Sequence, residues 1–320
     1  GFVLVPVLGT TVIVIGTGTL AVLAGTALRI RRVTTAIAVT AALIAGGAIA
    51  AWAGDRCDHE TRYYCVRIME DPDRESGRRL MLDDLSHSYV DVEDPTHLDF
   101  SYTRMLAAVM QADTTGPLDV TFLGGGAFTL PTWLDVVRPG STSTVLEVDP
   151  DLSAIVAAEL PAPEGIPTRL IIGDGRASMR NLGADTADIV VGDAFGGRAV
   201  PWHLTTTEFN ADIDRVLRPD GLYIANVIDG GELNFVRAMA ATLLATWDHV
   251  AVLTTPDRFE RGGNLVVVAG HHPVPADEIV AENAELGLDV VVLTGDDLEA
   301  FVGDSRSLTD DRAPVDQLLG

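Results

Sequence analysis

The chain contains no lysine: all 22 of its basic residues are arginine. That removes a Schiff-base lysine and the lysine of a phosphate-binding P-loop, and with them pyridoxal phosphate enzymes and Walker-type NTPases. Positive charge is scarce altogether. Against 46 acidic residues the formal balance is −24, and because phosphate backbones are bound by basic surfaces, no nucleic-acid partner is expected. Such a surface suits a cationic substrate, and it equally suits plain solubility. Cysteine is nearly absent. Cys57 and Cys65 are the only two, and together with His59 they do not complete a four-ligand zinc site, so no metal is expected. They lie close enough in sequence for a disulfide closing a short hairpin, which would fit an oxidising compartment; unbridged thiols are the alternative.

Charge is also missing from most of the first 54 residues. Gly1 to Leu28 and Val33 to Gly54 carry none, and each stretch exceeds the ~20 residues that cross a bilayer as a helix. Arg29-Ile30-Arg31-Arg32 between them is short enough for a hairpin turn. Two transmembrane helices are therefore expected, at 3 to 28 and 33 to 53, with a lipid bilayer as partner. Gly16, Gly18, Gly25, Gly46 and Gly47 would let them pack closely. A cleaved signal peptide fits less well, because the first apolar run is too long and has no basic start. The chain begins with Gly rather than Met, as a fragment of a longer membrane protein would. The arginine turn favours the cytoplasm and so sends everything after Gly54 to the opposite face.

Apolar residues make up 47% of the chain, enough for a sizeable core beyond residue 54. Short β-favouring runs at Arg62 to Met69 and Arg79 to Leu82, separated by the turn-rich Glu70 to Gly77, suggest a small antiparallel β cap over 55–97. A helix is expected from Leu98 to Gln111. Strands then alternate with helices at Asp119 to Gly125, Thr144 to Val148, Arg169 to Gly173, Asp188 to Gly192 and Leu222 to Val227. Two further strands near His249 to Leu253 and Asn264 to Ala269 form a terminal hairpin. The alternation implies an α/β domain over 98–320 whose parallel sheet is covered on both faces, with an antiparallel edge.

The chemistry concentrates at strand ends. Gly124-Gly125-Gly126 follows an apolar strand and lets backbone approach a ligand, while Glu147 and Asp149 end the next strand where carboxylates can hold ribose hydroxyls. Asp149 precedes Pro150 and can equally cap the following helix. A dinucleotide-binding domain shares this layout. The contiguous glycines, the second acidic turn Gly173-Asp174-Gly175 and the terminal hairpin instead favour a class I S-adenosylmethionine-type, Rossmann-like fold with a seven-stranded sheet.

The order of these pieces resembles the spermidine synthase family, the polyamine aminopropyltransferases, in its membrane-attached bacterial form. The resemblance spans roughly 60 to 270 and rests on Leu82-Asp83, His87-Ser88-Tyr89, Asp99-Phe100-Ser101-Tyr102, the glycine turn, Glu147-Val148-Asp149, Gly173-Asp174-Gly175, Asp188 to Asp193, Glu208-Phe209 and Leu217 to Gly221. It implies that Gly124, Gly125, Gly126 and Glu147 bind decarboxylated S-adenosylmethionine, with Glu147 on the ribose and Asp174 and Gly175 at the adenine. It implies Asp193 as the catalytic carboxylate and places Tyr102 and His87 beside a polyamine such as putrescine. Aminopropyl transfer is a displacement at carbon next to a sulfonium. It needs no metal, only an unprotonated amine and a base to take its proton. The chain departs from the family at Ala127, where an acidic residue is usual, at Asp193-Ala194-Phe195-Gly196-Gly197 in place of Asp-x-x-Asp-Pro, and at His87 in place of glutamine. The nucleotide half therefore matches better than the amine half.

Tyr89, Tyr102 and His87 could also be core residues. Arg198, Trp202 and His203 fall in the loop after the fourth strand, where a lid would sit. A homodimer is a further expectation. Three functions stay open: an aminopropyltransferase-like enzyme, an S-adenosylmethionine-dependent methyltransferase, and a noncatalytic ligand-binding domain of a membrane protein. The side of the membrane is open as well, since the arginine turn and cysteine pair point outside while the sulfonium co-substrate is made in the cytosol.

Overall fold

The computed structural model describes residues 57–112, 116–160, 168–195 and 200–319. The two expected transmembrane helices lie outside the described residues; among those that are described, no helix is long and apolar enough to cross a membrane. The chain divides into two compact units, Gly1–Ile68 with Met81–Asp84 and Met69–Leu80 with Leu85–Gly320.

In the first unit, strand β1 (His59–Glu60) pairs antiparallel with the start of β2 (Cys65–Asp71), in the register His59↔Val66 and Glu60↔Cys65. The intervening turn is organised by Thr61, whose hydroxyl accepts the amides of Tyr63 at 3.1 Å and Tyr64 at 2.9 Å. Serine and threonine favour turns for this reason. Cys57 and Cys65 are joined by a disulfide, their Cα atoms 5.1 Å apart. The expected hairpin closure is present.

The second unit contains parts of β2 and of β3 (Arg74–Leu82), all of β4 (Leu85–Asp91), and then the α/β body. Helix α1 (Ser101–Ala112) precedes the alternation β5 (Asp119–Leu123), α2 (Thr129–Val137), β6 (Thr142–Glu147), α3 (Pro150–Glu159), β7 (Thr168–Ile172), α4 (Gly175–Arg180), β8 (Ala187–Gly192), α5 (Thr207–Val216) and β9 (Leu217–Asp229). After these come α6 (Asn234–Leu244), β10 (His249–Thr254), α7 (Arg258–Arg261), β11 (Gly263–Gly270), α8 (Ala276–Glu285), β12 (Val291–Leu293), α9 (Gly295–Val302) and α10 (Val315–Leu318).

The strands form a mixed sheet in the order β12-β10-β11-β9-β8-β5-β6-β7. It has eight strands, not the seven expected from sequence. The additional strand is β12, whose Val291, Val292 and Leu293 pair antiparallel with Thr254, Leu253 and Val252 of β10. Three residues are too few to show alternation, and the pairing is made only across the fold, so this edge is not visible in the local pattern. Strands β7, β6, β5, β8 and β9 are mutually parallel, and β11 joins β9 antiparallel over eight residue pairs.

Successive strand residues enter opposite cores, as the two-residue period requires. Phe122, Val145, Ile189, Val191 and Ile224 bury against Met105, Leu106 and Val109 of α1, Trp133 and Leu134 of α2, and Ile279 of α8. Leu123, Leu146, Val190, Tyr223 and Ala225 bury on the other face against Met179, Phe209, Ile213, Phe235 and Leu298. The chain winds outward from β5 in both directions, so β5 and β8 flank the point where strand order reverses. In open α/β sheets ligands bind at the carboxyl ends of strands at such a point.

Candidate active site

The carboxyl end of β5 runs into Gly124, whose φ of +92° lies in the region open to glycine. A Cβ there would stand 2.5 Å from the Asp193 carbonyl oxygen, so only a residue without a side chain lets the two strand ends approach this closely. The turn ends at Phe128, which takes a left-handed φ of 57° immediately before α2. A non-glycine residue there stores backbone strain, as ligand clamps often do. Its ring rests against the turn: a Cβ on Gly125 would lie 3.3 Å from both Phe128 Cζ and Glu147 Oε2.

Glu147, at the end of β6, is buried. Its Oε2 accepts the Gly125 amide at 2.8 Å and its Oε1 accepts the Asp149 amide at 2.9 Å. Each carboxylate oxygen has a second lone pair, so Glu147 still has capacity for the hydroxyl donors of a ribose. The hydroxyls of an adenosyl group fit these acceptor oxygens and this glycine cradle. Asp149 serves the helix instead. Its Oδ1 accepts the Asp151 amide at 3.0 Å and the Leu152 amide at 3.2 Å, capping α3 ahead of Pro150. The capping alternative is the one realised.

Asp174 follows β7. Its Oδ1 accepts the Ala177 amide at 2.9 Å, and its Oδ2 lies 2.9 Å from His203 Nε2. Burial would raise this carboxyl, but the bonds from Ala177 and His203 outweigh it and hold it below the usual carboxylate range. Gly175 presses against the end of β5, where a Cβ would meet Leu123 Cδ2 at 3.0 Å. His203 lies in the single turn of 3-10 helix Trp202–Leu204. Trp202 is half exposed and meets His203 edge-on, with ring centroids 5.8 Å apart, so it does not anchor the loop in a core. Arg198 lies outside the described residues.

Asp193 follows β8. Although the residue keeps some exposed surface, its carboxyl group lies deep, and burial pushes it up to about 6 against hydrogen bonds from Asn226 and Tyr102. Asn226 Nδ2 donates to Asp193 Oδ1 at 2.9 Å, and Asn264 Nδ2 donates to Asn226 Oδ1 at 2.9 Å. Tyr102, on α1, faces the same carboxyl; burial and that negative charge raise its phenol well above the ordinary value. Its hydroxyl also reaches the His87 carbonyl at a long 3.4 Å. A small, mostly apolar cavity adjoins Asn226, lined by Leu123, Ala194, Leu204, Phe209 and Tyr223 among others.

Of the neighbouring candidates, Tyr89 is core. Its hydroxyl donates to Asp71 Oδ2 at 2.7 Å, and burial followed by that bond pushes the phenol up to about 12. Ser88 Oγ accepts the Ala127 amide at 3.2 Å, and the Ala127 side chain is buried. Gly124, Gly125, Gly126, Glu147, Asp174, Gly175 and Asp193 thus fall at the carboxyl ends of β5, β6, β7 and β8, Tyr102 faces Asp193 from α1, and His87 lies on β4 with its backbone carbonyl toward the Tyr102 hydroxyl. The residues that sequence reasoning missed are Asn226 and Asn264, and it gave Ser88 of the His87-Ser88-Tyr89 motif no role of its own. Among the described residues, no group of three or more His, Cys, Asp or Glu side chains could hold a metal ion.

No family model matches the chain. It is 26% identical over 199 residues to the polyamine aminopropyltransferase of Vibrio vulnificus, which takes in 62% of this chain and 64% of that protein. Over that stretch the chain is similar to polyamine aminopropyltransferases. Less than two thirds of that relative's length is matched. The α/β fold is the methyltransferase-like fold of spermidine synthases: a probable spermidine synthase from Corynebacterium glutamicum superposes with a TM-score of 0.73 at 24% identity, covering 79% of this chain and 95% of that one. A spermidine synthase in complex with the transition-state analogue AdoDATO superposes with a TM-score of 0.56 at 19% identity, over 69% of this chain and 74% of that one.

Proposed function

We propose that the chain is an aminopropyltransferase-like enzyme of the transferase class, which binds decarboxylated S-adenosylmethionine as co-substrate and passes its aminopropyl group to an amine. Asp193 carries this reading. Its carboxyl is raised to about 6 in a buried setting, where it is still largely ionised at neutral pH yet basic enough to accept a proton. In the step, the acceptor nitrogen attacks the carbon next to the sulfonium. The carbon–nitrogen bond forms as the carbon–sulfur bond breaks, methylthioadenosine departs, and the proton released from the amine passes to Asp193. Tyr102 and Asn226 hold that carboxylate in place. Gly124, Gly125, Gly126, Glu147, Asp174 and Gly175 hold the adenosyl group, and His87 and Tyr102 border the amine. A polyamine such as putrescine is the proposed acceptor, and membrane attachment through the first 54 residues and pairing as a homodimer belong to the same reading.

Mixing the protein with decarboxylated S-adenosylmethionine and putrescine and measuring methylthioadenosine release tests the proposal; absence of release across a panel of amines would refute it. One observation favours a second reading. Ala127 is buried with its amide spent on Ser88 Oγ, which leaves no carboxylate at that corner to hold a second ammonium and suits methyl transfer from S-adenosylmethionine. Tighter binding of the carboxylated than of the decarboxylated form would support it.

A further inference from the structure

Within the second unit, the stretch from Leu308 to Asp310 returns to the side of the site that carries Asp174. Asp310 grips Arg176 through two parallel bonds, Nη1 to Oδ1 at 2.7 Å and Nη2 to Oδ2 at 2.8 Å. Its Oδ1 also accepts the Thr206 hydroxyl at 2.8 Å, and its amide donates to Glu208 Oε2 at 3.0 Å. Leu308 is tied on both sides, its carbonyl accepting the Thr207 amide at 2.9 Å and its amide donating to Thr242 Oγ1 at 2.8 Å. The segment is therefore fixed at several points rather than draped over the surface.

Arg176 is buried in the first turn of α4, two residues after Asp174. Its Nη1 also donates to the His203 carbonyl at 3.3 Å. One guanidinium thus joins the helix start that carries Asp174 to the turn that carries His203, and the two side chains it aligns are themselves 2.9 Å apart. A buried guanidinium needs an anion, and the bidentate fork fixes direction as well as charge. Asp212 contributes a looser contact at 3.6 Å from Arg176 Nε. The directional partner is Asp310.

We propose that Asp310 is a positioning residue of the adenosyl site, acting through Arg176 to hold Asp174 and His203 in the arrangement that receives the adenine end of the co-substrate. The inference rests on the proposed adenosyl reading of the site. It assigns residues far along the chain to a site otherwise built from strand ends.

Calorimetric titration of the full chain with methylthioadenosine, alongside steady-state kinetics, tests it. Asp310→Asn keeps the size and loses the charged fork, so its dissociation constant should rise roughly tenfold. Asp310→Glu should recover most of that loss, and the acceptor KM should stay within about twofold of the parent. Should Asp310→Asn not fold, Arg176→Lys, which keeps the charge and loses the fork, should give the same weakening. Parent-like affinity in these variants would overturn the proposal, as would a weakening matched by an equal rise in acceptor KM and a collapsed melting temperature. If the unaltered chain bound neither methylthioadenosine nor either form of S-adenosylmethionine, the adenosyl reading itself would fail and take this proposal with it.

Discussion

Asn226 Nδ2 donates to Asp193 Oδ1 at 2.9 Å, and its own carbonyl is held by Asn264 Nδ2 at the same distance. The bond from Asn226 favours the ionised carboxylate and partly offsets the burial that raises it. Tyr102 is the second donor to this carboxylate, and each carboxylate oxygen has a further lone pair that can take an acceptor amine. Replacing Asn226 with Ala should therefore raise the Asp193 pKa and move the acidic limb of the kcat profile toward higher pH by about one unit, with kcat at neutral pH falling about twofold. A pH–rate profile of the variant checks this; an unmoved limb would mean that Asn226 does not tune the base.

Asp193→Asn should abolish transfer, with kcat down roughly 100-fold or more. The same substitution should stabilise the fold, and the sign follows from the raised carboxyl. Its folded value near 6 exceeds the ordinary 3.8, so the folded state holds the proton more tightly, and the favourable contribution present at low pH disappears as pH rises through about 6. Above that pH an ionised, buried Asp193 costs about 1–3 kcal/mol, which the neutral amide avoids. Thermal melting of both forms at pH 3.5 and pH 7 should show a gain for the variant mainly at pH 7, because the cost builds up between the ordinary 3.8 and about 6. A pH-independent difference would contradict this account.

Much of this arrangement can be read along the chain because it depends on local pattern. The glycines of the turn, Glu147, the acidic turn at Asp174 and the strand-end Asp193 each follow an apolar run that is recognisable as a strand by itself, and the capping role of Asp149 is one of two readings offered by the adjacent Pro150. Asn226 and Asn264 are not legible in this way. Each sits in or beside an apolar strand, and they meet only because β9 and β11 pair antiparallel. His203 lies 29 residues from Asp174 and Asp310 lies 134 from Arg176, distances at which no spacing rule operates. The edge strand β12 escapes for a similar reason, since its identity comes from its partner β10 and not from its three residues.

Gly124→Ala should destabilise the second unit. Its φ of +92° disfavours a side chain, and the new Cβ would stand 2.5 Å from the Asp193 carbonyl. Relief requires moving β5 or β8, so a loss of roughly 1–3 kcal/mol is expected, together with lost activity because Asp193 shifts with its backbone. Urea unfolding would reveal it through a lower midpoint at unchanged slope; a parent-like midpoint would show that the turn has slack.

Reduction of the Cys57–Cys65 disulfide should act on the first unit and spare the active site. The bridge closes a short loop, with a sequence separation of 8, and loop-closure entropy alone gives a stabilisation of about 2.5 kcal/mol. The Thr61 turn and the β1–β2 pairing remain to hold the hairpin, so the expectation is faster amide exchange between Cys57 and Val66 without unfolding. Adenosyl-ligand affinity should be unchanged, since Glu147, Asp174 and Asp193 all belong to the second unit. Hydrogen exchange of the Cys57→Ser, Cys65→Ser double variant, read against methylthioadenosine titration, separates the two effects; a weakened titration would show that the hairpin supports the site.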